Sequence, residues 1–506
     1  MNKPLESSEV GKTSYRRILG HSSIYILGMM ISKVVGFIMI PIYTHYLAPA
    51  DYGVLELLTM TSDIIAMLIG IGLAQSVLRF YYNYEAPEDR NSVVSTALIT
   101  GILLFAGIFG VLNFQSSLAA NIILGSGDSA NYFNIIFITM MFFAGVEIPL
   151  VYLRAQQRSI YFVVINLIKL IIQLALNIYF IVILQWGVLG VLYSGLIATV
   201  AVGLFLTVQT FWETGFHFSI NKLKELIKYG YPLIFTNIGA FVLTYSDRYF
   251  LKFYTDLNEV GIYSLGYKFG MMVSILLLGP FHQFWTAEMF AVAKRDDAKK
   301  VFRDFFTYST FISILFCFAI SIYMRDAIEL ISEQSYWSAY KVIPYICLAY
   351  IFMGLHGFTC CGILIAKETR FMAYSTVYAV IANVVLNFIL IPKLGAVGAA
   401  LATIGAFGIR FYTTFRYSQR FFPIKYEWGR IISSLSLAVI MVAAAFMVKF
   451  DNLFYNLIFD TGVLISYLLI LYILGWFNSR EKELIIQLIK KPSSLIRLLK
   501  LFKGNN

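Results

Sequence analysis

Long apolar runs recur along the whole chain and constrain its fold more than any other feature. Charged and turn residues divide them into fourteen runs. A helix of about 20 apolar residues crosses the hydrocarbon core of a bilayer, and it satisfies its own backbone hydrogen bonds inside lipid. We therefore predict an all-α polytopic membrane protein with about fourteen transmembrane helices. The predicted spans are 20–46, 53–81, 92–114, 131–153, 159–184, 187–212, 230–253, 260–289, 304–324, 341–366, 371–392, 395–418, 430–449 and 454–477.

The composition excludes several classes of protein. Of the 506 residues, 59% are apolar and 13% are charged, which does not fit an ordinary soluble enzyme, a disordered chain or a coiled coil. The net charge of +11 does not indicate nucleic acid, because most Lys and Arg fall in segments that are cytoplasmic if the amino terminus is inside. We therefore predict that both termini are cytoplasmic and that the chain has no nucleic-acid partner.

The sequence shows no motif of a metal, redox or catalytic site. The cysteines Cys317, Cys347, Cys360 and Cys361 lie in apolar runs, without the paired spacing of a zinc or dithiol site. No phosphate-binding glycine loop or nucleophile motif occurs. The amino terminus lacks the pattern of a cleaved signal peptide. We therefore expect no cofactor, no metal and no catalytic residue.

An internal repeat divides the chain. Similar segments recur at an offset of 208 residues, with three glycine pairs: Gly53 and Gly261, Gly187 and Gly395, and Gly190 and Gly398. Because each copy holds an even number of spans, the copies share one topology, which predicts two parallel six-helix lobes with the substrate between them. The predicted divisions are a cytoplasmic tail (1–19), an N-lobe (20–213), a C-lobe (222–424), two C-terminal helices (430–477) and an amphipathic cytoplasmic tail (478–506).

Four sequence runs resemble the polysaccharide transporters of the multidrug/oligosaccharidyl-lipid/polysaccharide superfamily. They are SKVVGFIMIPIYTHYLAPADYG (32–53), NIYFIVILQWGVLGVLYSG (177–195), KYGYPLIFTNIGAFVLTYSDRYFLKFYTDLNEVGIYSLGYK (228–268) and NVVLNFILIPKLGAVGAALAT (383–403). The resemblance implies a flippase, and not an enzyme, that moves undecaprenyl-pyrophosphate-linked oligosaccharide from the inner to the outer leaflet of a bacterial cytoplasmic membrane. The oligosaccharide would be a repeat unit of O-antigen, capsule or exopolysaccharide. Alternating access, and contacts with membrane lipids, a polysaccharide polymerase and chain-length proteins, are also implied.

Ionisable residues inside the spans are the candidates for a binding site, because a charge in a bilayer is costly without a partner or a function. Lys33, Asp63, Lys169 and Lys268 lie roughly 12–20 Å from a membrane face, at about 1.5 Å per helical residue. Three lysines against one aspartate leave an excess of positive charge, which favours an anionic ligand. The resemblance implies that this anion is the pyrophosphate.

Neighbouring polar residues extend the predicted site. Asn166, Lys169 and Gln173 share one face of the fifth span, and such a stripe faces a cavity or another helix rather than lipid. Arg79 lies near the cytoplasmic side and Arg248 near the external side. The predicted substrate-binding residues are Lys33, Lys169, Lys268, Arg248, Arg79, Asn166 and Gln173, and the predicted ion-coupling residues are Asp63, Glu147 and Asp247.

Structural roles and other functions stay open at this point. Lys33 can pair with Asp63, Arg248 can extend to the interface, and Arg79 can anchor the topology. A multidrug or cation antiporter of the related extrusion family would favour buried acids, against which the lysine excess argues. A membrane polysaccharide polymerase or ligase would need a large external loop, but the longest ones, near 115–130 and 325–340, lack histidine. A non-transporting scaffold is also compatible with the sequence.

Overall fold

The computed structural model describes residues 36–70, 72–479 and 481–483 of the chain. These residues form helices and no strand. The predicted tail 1–19, Lys33, the first part of the span 20–46 and most of the tail 478–506 lie outside the described residues. What was predicted for them stays a prediction.

The α-helices of the described part are labelled in chain order. They are α1 (36–46), α2 (Pro49–Ile69), α3 (Leu73–Asn83), α4 (Pro87–Phe114), α5 (Ser116–Leu124), α6 (Ala130–Met141), α7 (Ala144–Ala155), α8 (Ser159–Asn177), α9 (Gly187–Thr214), α10 (Ile220–Tyr254), α11 (Leu257–Val273), α12 (Gly279–Val292), α13 (Ala298–Ile331), α14 (Ile343–Thr359), α15 (Cys361–Ile365), α16 (Arg370–Phe421), α17 (Trp428–Ala445) and α18 (Leu453–Ile473). The π-helices Ile178–Ile183 and Ser274–Leu278 continue α8 and α11, and the 3₁₀ helices Gly127–Ser129 and Gln334–Lys341 precede α6 and α14. We call 36–214 the N-terminal half and 220–421 the C-terminal half.

Most of these helices are long and apolar enough to cross a membrane. In the described part there are eleven such segments, or twelve if Ile220–Pro232 and Asn237–Tyr254, bent by 49°, form one span. Helix α16 has 52 residues and breaks at Gly395, where φ is 54° and ψ is −131°, so it contains the two spans predicted at 371–392 and 395–418. The all-α polytopic fold is confirmed, and the total of fourteen spans stays a prediction.

Some of the runs predicted as continuous spans are interrupted. The run 53–81 divides into α2 and α3 near Gly72, which has a φ of 63°. A Cβ at Gly72 would lie 2.8 Å from the Cα of Gly230, so the break lets α3 approach α10 closely. The run 131–153 divides into α6 and α7. Apolar length alone does not reveal such breaks, because both pieces stay apolar.

The repeat-related glycines Gly53 and Gly261 lie against each other. A Cβ on Gly53 would clash with the carbonyl oxygen of Leu257, and a Cβ on Gly261 would clash with that of Pro49. Pro49 and Leu257 are themselves 208 residues apart, so the contact between α2 and α11 is reciprocal, as at a two-fold interface. Because both positions lack a side chain, the two backbones meet directly there.

The last two helices attach to the C-terminal half. Helices α17 and α18 pack against each other and against α13. The hydroxyls of Ser434 and Tyr467, both buried, are 2.7 Å apart between α17 and α18. The hydroxyls of Tyr323 and Thr461 are 2.9 Å apart between α13 and α18. Helix α13 therefore connects α17 and α18 to the rest of the C-terminal half.

Candidate functional site: charged clusters within the helices

A lysine of the C-terminal half meets a glutamate of the N-terminal half. Lys268 on α11 donates a hydrogen bond to the hydroxyl of Tyr52 at 2.7 Å and forms an ion pair with Glu56, both on α2. Its Nζ also lies 4.7 Å from the centroid of the Tyr52 ring. The side chains of Lys268 and Glu56 are 35% and 14% exposed. The Lys268–Glu56 pair is thus held by the protein and still has an open side.

The close approach of α2 and α11 places this pair. Tyr52 and Glu56 are four residues apart on α2 and so share one face. Glu56 follows Gly53 by less than one helical turn, and Lys268 follows Gly261 by about two turns. The backbone contact of the two glycines therefore brings both side chains within reach of each other.

Glu56 changes the charge count made from the sequence. The excess of three lysines over one aspartate leaves Glu56 out, although it lies on the same face of α2 as Asp63. In the structure Glu56 neutralises Lys268, which is a correction to that count. The predicted preference for an anion then depends on Lys169 and on Lys33, which lies outside the described residues.

Lys169 on α8 has no salt bridge among the described residues, and Glu147 on α7 is a nearby acid that interacts with it electrostatically. The lysine is half-buried and forms no hydrogen bond or ion pair with any residue that the structure describes. On the same face, Asn166 donates to the carbonyl oxygen of Phe162 at 2.8 Å, and Gln173 lies against α9 near Gly195. The predicted polar stripe thus carries one positive charge that has no salt bridge with a described residue.

Arg248 is enclosed by aromatic rings. The side chain on α10 is 2% exposed, and its guanidinium carbon lies 4.0 Å from the ring centroid of Tyr267 and 5.0 Å from that of Tyr263. It donates to the carbonyl oxygen of Thr244 at 2.8 Å. These contacts are cation–π interactions of a desolvated arginine. In this conformation Arg248 faces tyrosines rather than an open cavity.

Asp247 is fully buried and accepts hydrogen bonds from four side chains. The Oδ2 atom accepts from the hydroxyls of Tyr263 and Thr403, each at 2.7 Å. The Oδ1 atom accepts from the amides of Asn387 at 2.9 Å and Asn383 at 3.4 Å. All four donors are neutral, and the Oδ1 of Asn387 is buried without a partner in the described part. The carboxylate and that amide oxygen form a polar centre between α10, α11 and α16.

The break in α16 assembles this centre. Asn383 and Asn387 precede Gly395, and Thr403 follows it. Gly187, the repeat equivalent of Gly395, also has a left-handed φ, at 56° against 54°, so both copies turn the chain in the same way. The two parts of α16 therefore face Asp247 together.

The other predicted residues form no ion pair with these clusters, although Asp63 interacts electrostatically with Glu56, and Glu147 with Lys169. Asp63 is exposed on α2, and Glu147 is half-buried on α7. Neither forms an ion pair within the described ranges. Arg79 is exposed on α3 and lies 4.6 Å from the ring centroid of Tyr229 on α10. Asp247 thus belongs to a hydrogen-bonded network, whereas Asp63 and Glu147 form no ion pair with a described residue.

The sequence indicated most of the charged residues but not the residues that contact them. The predicted site residues include none of the partners that the structure supplies, which are Glu56, Tyr52, Asn383, Asn387 and Thr403. The spacing of the two asparagines, at i and i+4, is the signal that marks one polar face. Pairing across helices has no signal in a single sequence. Within 36–70, 72–479 and 481–483, no group of three or more His, Cys, Asp or Glu residues is arranged to hold a metal ion.

Comparison with known proteins places the chain in a family. The model of the family described as polysaccharide biosynthesis protein matches residues 18–284, more than half of the 506 residues. A relative from Haloferax volcanii, the "Probable low-salt glycan biosynthesis flippase Agl15", is 22% identical over 273 residues, which are 52% of this chain and 56% of the relative. The chain thus matches little more than half the length of that relative.

Solved structures share the fold. The lipid II flippase MurJ, in an inward closed conformation, matches with a TM-score of 0.75 and 15% identity over 91% of this chain and 99% of that protein. A multidrug resistance MATE family transporter of the MOP superfamily, inward-facing, matches with a TM-score of 0.63 and 14% identity over 78% of this chain and 97% of that protein. At these identities the likeness concerns the fold. The chain therefore belongs to the polysaccharide biosynthesis protein family and has the fold shared by flippases and transporters of the MOP superfamily.

Proposed function

We propose that the chain is a flippase that moves undecaprenyl-pyrophosphate-linked oligosaccharide from the inner to the outer leaflet of a bacterial cytoplasmic membrane. Membership of the polysaccharide biosynthesis family supports a role in making a surface glycan. The relative named as a glycan biosynthesis flippase supports a lipid-linked glycan as the cargo. The cargo is the repeat unit of an O-antigen, capsule or exopolysaccharide.

The observation that carries this proposal is the Lys268–Glu56 pair between the two halves. A transported ligand binds where two moving bundles meet, and Lys268 reaches across that meeting place. A pyrophosphate oxygen can take the place of the Glu56 carboxylate on Nζ. The exchange replaces one anion by another on the ammonium group, and the phosphate contacts must offset the cost of leaving the Glu56 carboxylate without its partner.

The remaining predicted residues complete the anion site. Lys169 forms no ion pair with a described residue, so a phosphate there gives its ammonium group a close anionic partner. Lys33 supplies a third ammonium, and Asn166 and Gln173 offer hydrogen bonds beside Lys169. Arg79 attracts the anion at the entrance. Arg248 contributes to the anion site in a conformation in which Tyr263 and Tyr267 no longer enclose its guanidinium.

Transport proceeds by alternating access of the lobes 20–213 and 222–424. With both termini cytoplasmic, the contact of Gly53 and Gly261 lies at the external ends of α2 and α11, and its separation opens the outward path. An anion that carries two charges gains about 2.3 kcal/mol per charge for each 100 mV when it leaves an inside-negative cell. The membrane potential thus favours the outward step.

Asp247 is the ion-coupling residue that the geometry favours over Asp63 and Glu147. It is a fully buried carboxylate with neutral donors, beside the unpartnered amide oxygen of Asn387. A proton or a sodium ion bound there neutralises it. Its neighbours belong to both parts of α16, so occupancy of the site can bias the movement of that helix.

The test is a flipping assay with the purified chain in liposomes. A fluorescent undecaprenyl-pyrophosphate oligosaccharide is placed in both leaflets, and its exposure to an impermeant quencher is followed over time. We expect the wild-type chain to flip it and Lys169→Gln/Lys268→Gln to slow flipping at least tenfold. Lys393→Gln, a change at an exposed lysine, is the matched control.

Three outcomes are informative. Equal rates for the double variant and the control would contradict the cationic site. Export of a fluorescent cation without any flipping would favour the antiporter. Neither activity, together with normal folding, would favour a scaffold that acts beside the polysaccharide polymerase and chain-length proteins that we propose as partners.

A further inference from the structure

A second acidic centre lies at the end of α13, away from Asp247 and from the Lys268–Glu56 pair. Asp326 on α13 and Asp460 on α18 are 6% and 8% exposed. Both line a cavity with Arg325 and Asn456, and it holds about 10 Å³ of space for the centre of a water molecule. That volume is room for one water-sized occupant.

The two carboxylates bring unpaired oxygen atoms to this cavity. Asn456 donates to the Oδ1 of Asp326 at 3.1 Å, while the Oδ2 of Asp326 is buried and has no partner among the residues described. Asp460 forms no hydrogen bond or ion pair with any described residue. Buried carboxylate oxygens need such a partner, and one occupant of this cavity could contact both carboxylates.

The charges around the cavity sum to one negative charge. The facing groups are Arg325, Asp326 and Glu329 of α13, Lys449 of the α17–α18 connection and Asp460 of α18. Lys449 pairs with Glu329 at 2.8 and 3.0 Å. Arg325 donates to the carbonyl oxygen of Val448 at 3.2 Å and its Nε lies 3.9 Å from the Glu329 carboxylate, so the two cations compensate two of the three carboxylates. The remaining carboxylate is uncompensated, and burying it in the protein without a partner costs free energy.

We propose that Asp326 and Asp460 bind one monovalent cation, a proton or a sodium ion, in this cavity. One positive charge brings the cluster to neutrality. A divalent ion would leave an excess positive charge beside Arg325, which lines the same cavity. The bound cation connects α18 to α13 and so fastens the last two helices to the C-terminal half.

Thermal unfolding of the purified chain tests the proposal. Tm is measured at about pH 8 in sodium chloride and in choline chloride of equal ionic strength, and again in choline at about pH 6. We expect a saturable rise of about 2–4 °C with sodium or, for a proton, with the lower pH. Protonation neutralises a buried negative charge, so stability increases as the pH falls.

Two matched variants separate this site from Asp247, which both retain. Asp460→Asn is expected to remove the part of the response that this site contributes, leaving only the part that Asp247 contributes, and to keep a Tm in choline close to that of the cation-bound wild type. Asp451→Asn, the same change at an exposed position of the α17–α18 connection, is expected to keep the response. Asp326→Asn is the second site variant, in case Asp460→Asn does not fold.

The sources of the cation are distinguished by the two arms. A response to sodium at constant pH identifies the metal ion, and a response to pH without sodium identifies the proton. A wild-type Tm that responds to neither overturns the proposal, and so does a response that is as large in Asp460→Asn or Asp326→Asn as in Asp451→Asn. In that case a neutral water between Arg325 and Asp326 fills the cavity.

Discussion

Gly53 and Gly261 occupy equivalent positions in the contact between α2 and α11. The built Cβ of Gly53 lies 3.1 Å from the backbone nitrogen of Gly261, and that of Gly261 lies 3.1 Å from the backbone nitrogen of Gly53. Since the two glycines are repeat equivalents, the contact marks the approximate axis that relates the halves. Lys268 and Glu56 lie one to two turns further along the same helices.

We predict that Gly53→Ala or Gly261→Ala weakens this contact. The added methyl group meets a backbone carbonyl that cannot rotate away, so the helices must separate by some tenths of an ångström. A cysteine introduced at Thr59, beyond the contact, should then react at least about threefold faster with an impermeant external thiol reagent. Gly408→Ala, where a Cβ has open space, is the control, and equal labelling of all variants would refute the idea.

Variants of the Lys268–Glu56 pair distinguish a role in ligand binding from a role in stability. Lys268→Gln leaves a half-buried glutamate unpaired and is expected to reduce the free energy of unfolding by about 2 kcal/mol. The double variant Lys268→Gln/Glu56→Gln removes both charges and should recover most of that stability. It should not recover flipping, because the ammonium is absent. Recovery of flipping together with stability would show that Lys268 is only structural.

Lys169→Gln should have the opposite profile. Because Lys169 has no ion pair within the described part, its removal is expected to change the free energy of unfolding by less than about 0.5 kcal/mol, or to increase it slightly. Flipping should decrease at least about tenfold through loss of a phosphate contact. The comparison is with Lys393→Gln in the same liposomes. A large loss of stability would instead point to a structural partner of Lys169.

Thr403→Val tests the coupling role of Asp247 without removing the carboxylate. The change keeps the shape of the side chain and removes one hydrogen bond of 2.7 Å to Asp247, at a cost of about 1–2 kcal/mol in the free energy of unfolding. The dependence of the flipping rate on pH or on sodium concentration should shift by several-fold. Unchanged dependence, with transport intact, would indicate that coupling occurs at Asp63 or Glu147.

Arg248→Lys is expected to act on stability first. Lysine lacks the planar guanidinium that stacks on Tyr263 and Tyr267, so the free energy of unfolding should fall by about 2 kcal/mol or more. Loss of flipping should follow loss of folded protein, as judged by size-exclusion chromatography. A stable Arg248→Lys protein with a raised apparent KM would show direct contact with the substrate.

Part of this protein can be derived from its sequence because the information is local. Apolar runs of span length establish helices in a membrane, since no other element satisfies its backbone there. The 208-residue offset identified Gly53 with Gly261 and Gly187 with Gly395 before any contact was known. Lys169 and Asp247 stood out as ionisable groups at membrane depth.

What only the tertiary structure decided is which of these residues meet. Glu56 pairs with Lys268 because two helices 200 residues apart in sequence touch at glycine, and Asp247 gains Thr403 because α16 breaks at Gly395. At the division of the run 53–81, Gly72 likewise lies against Gly230 of another helix. Hydropathy and spacing describe one helix at a time, whereas charge compensation depends on neighbours across helices. For this reason the sequence determined the fold class, the repeat and the buried charges, and the packing of the helices determined their partners.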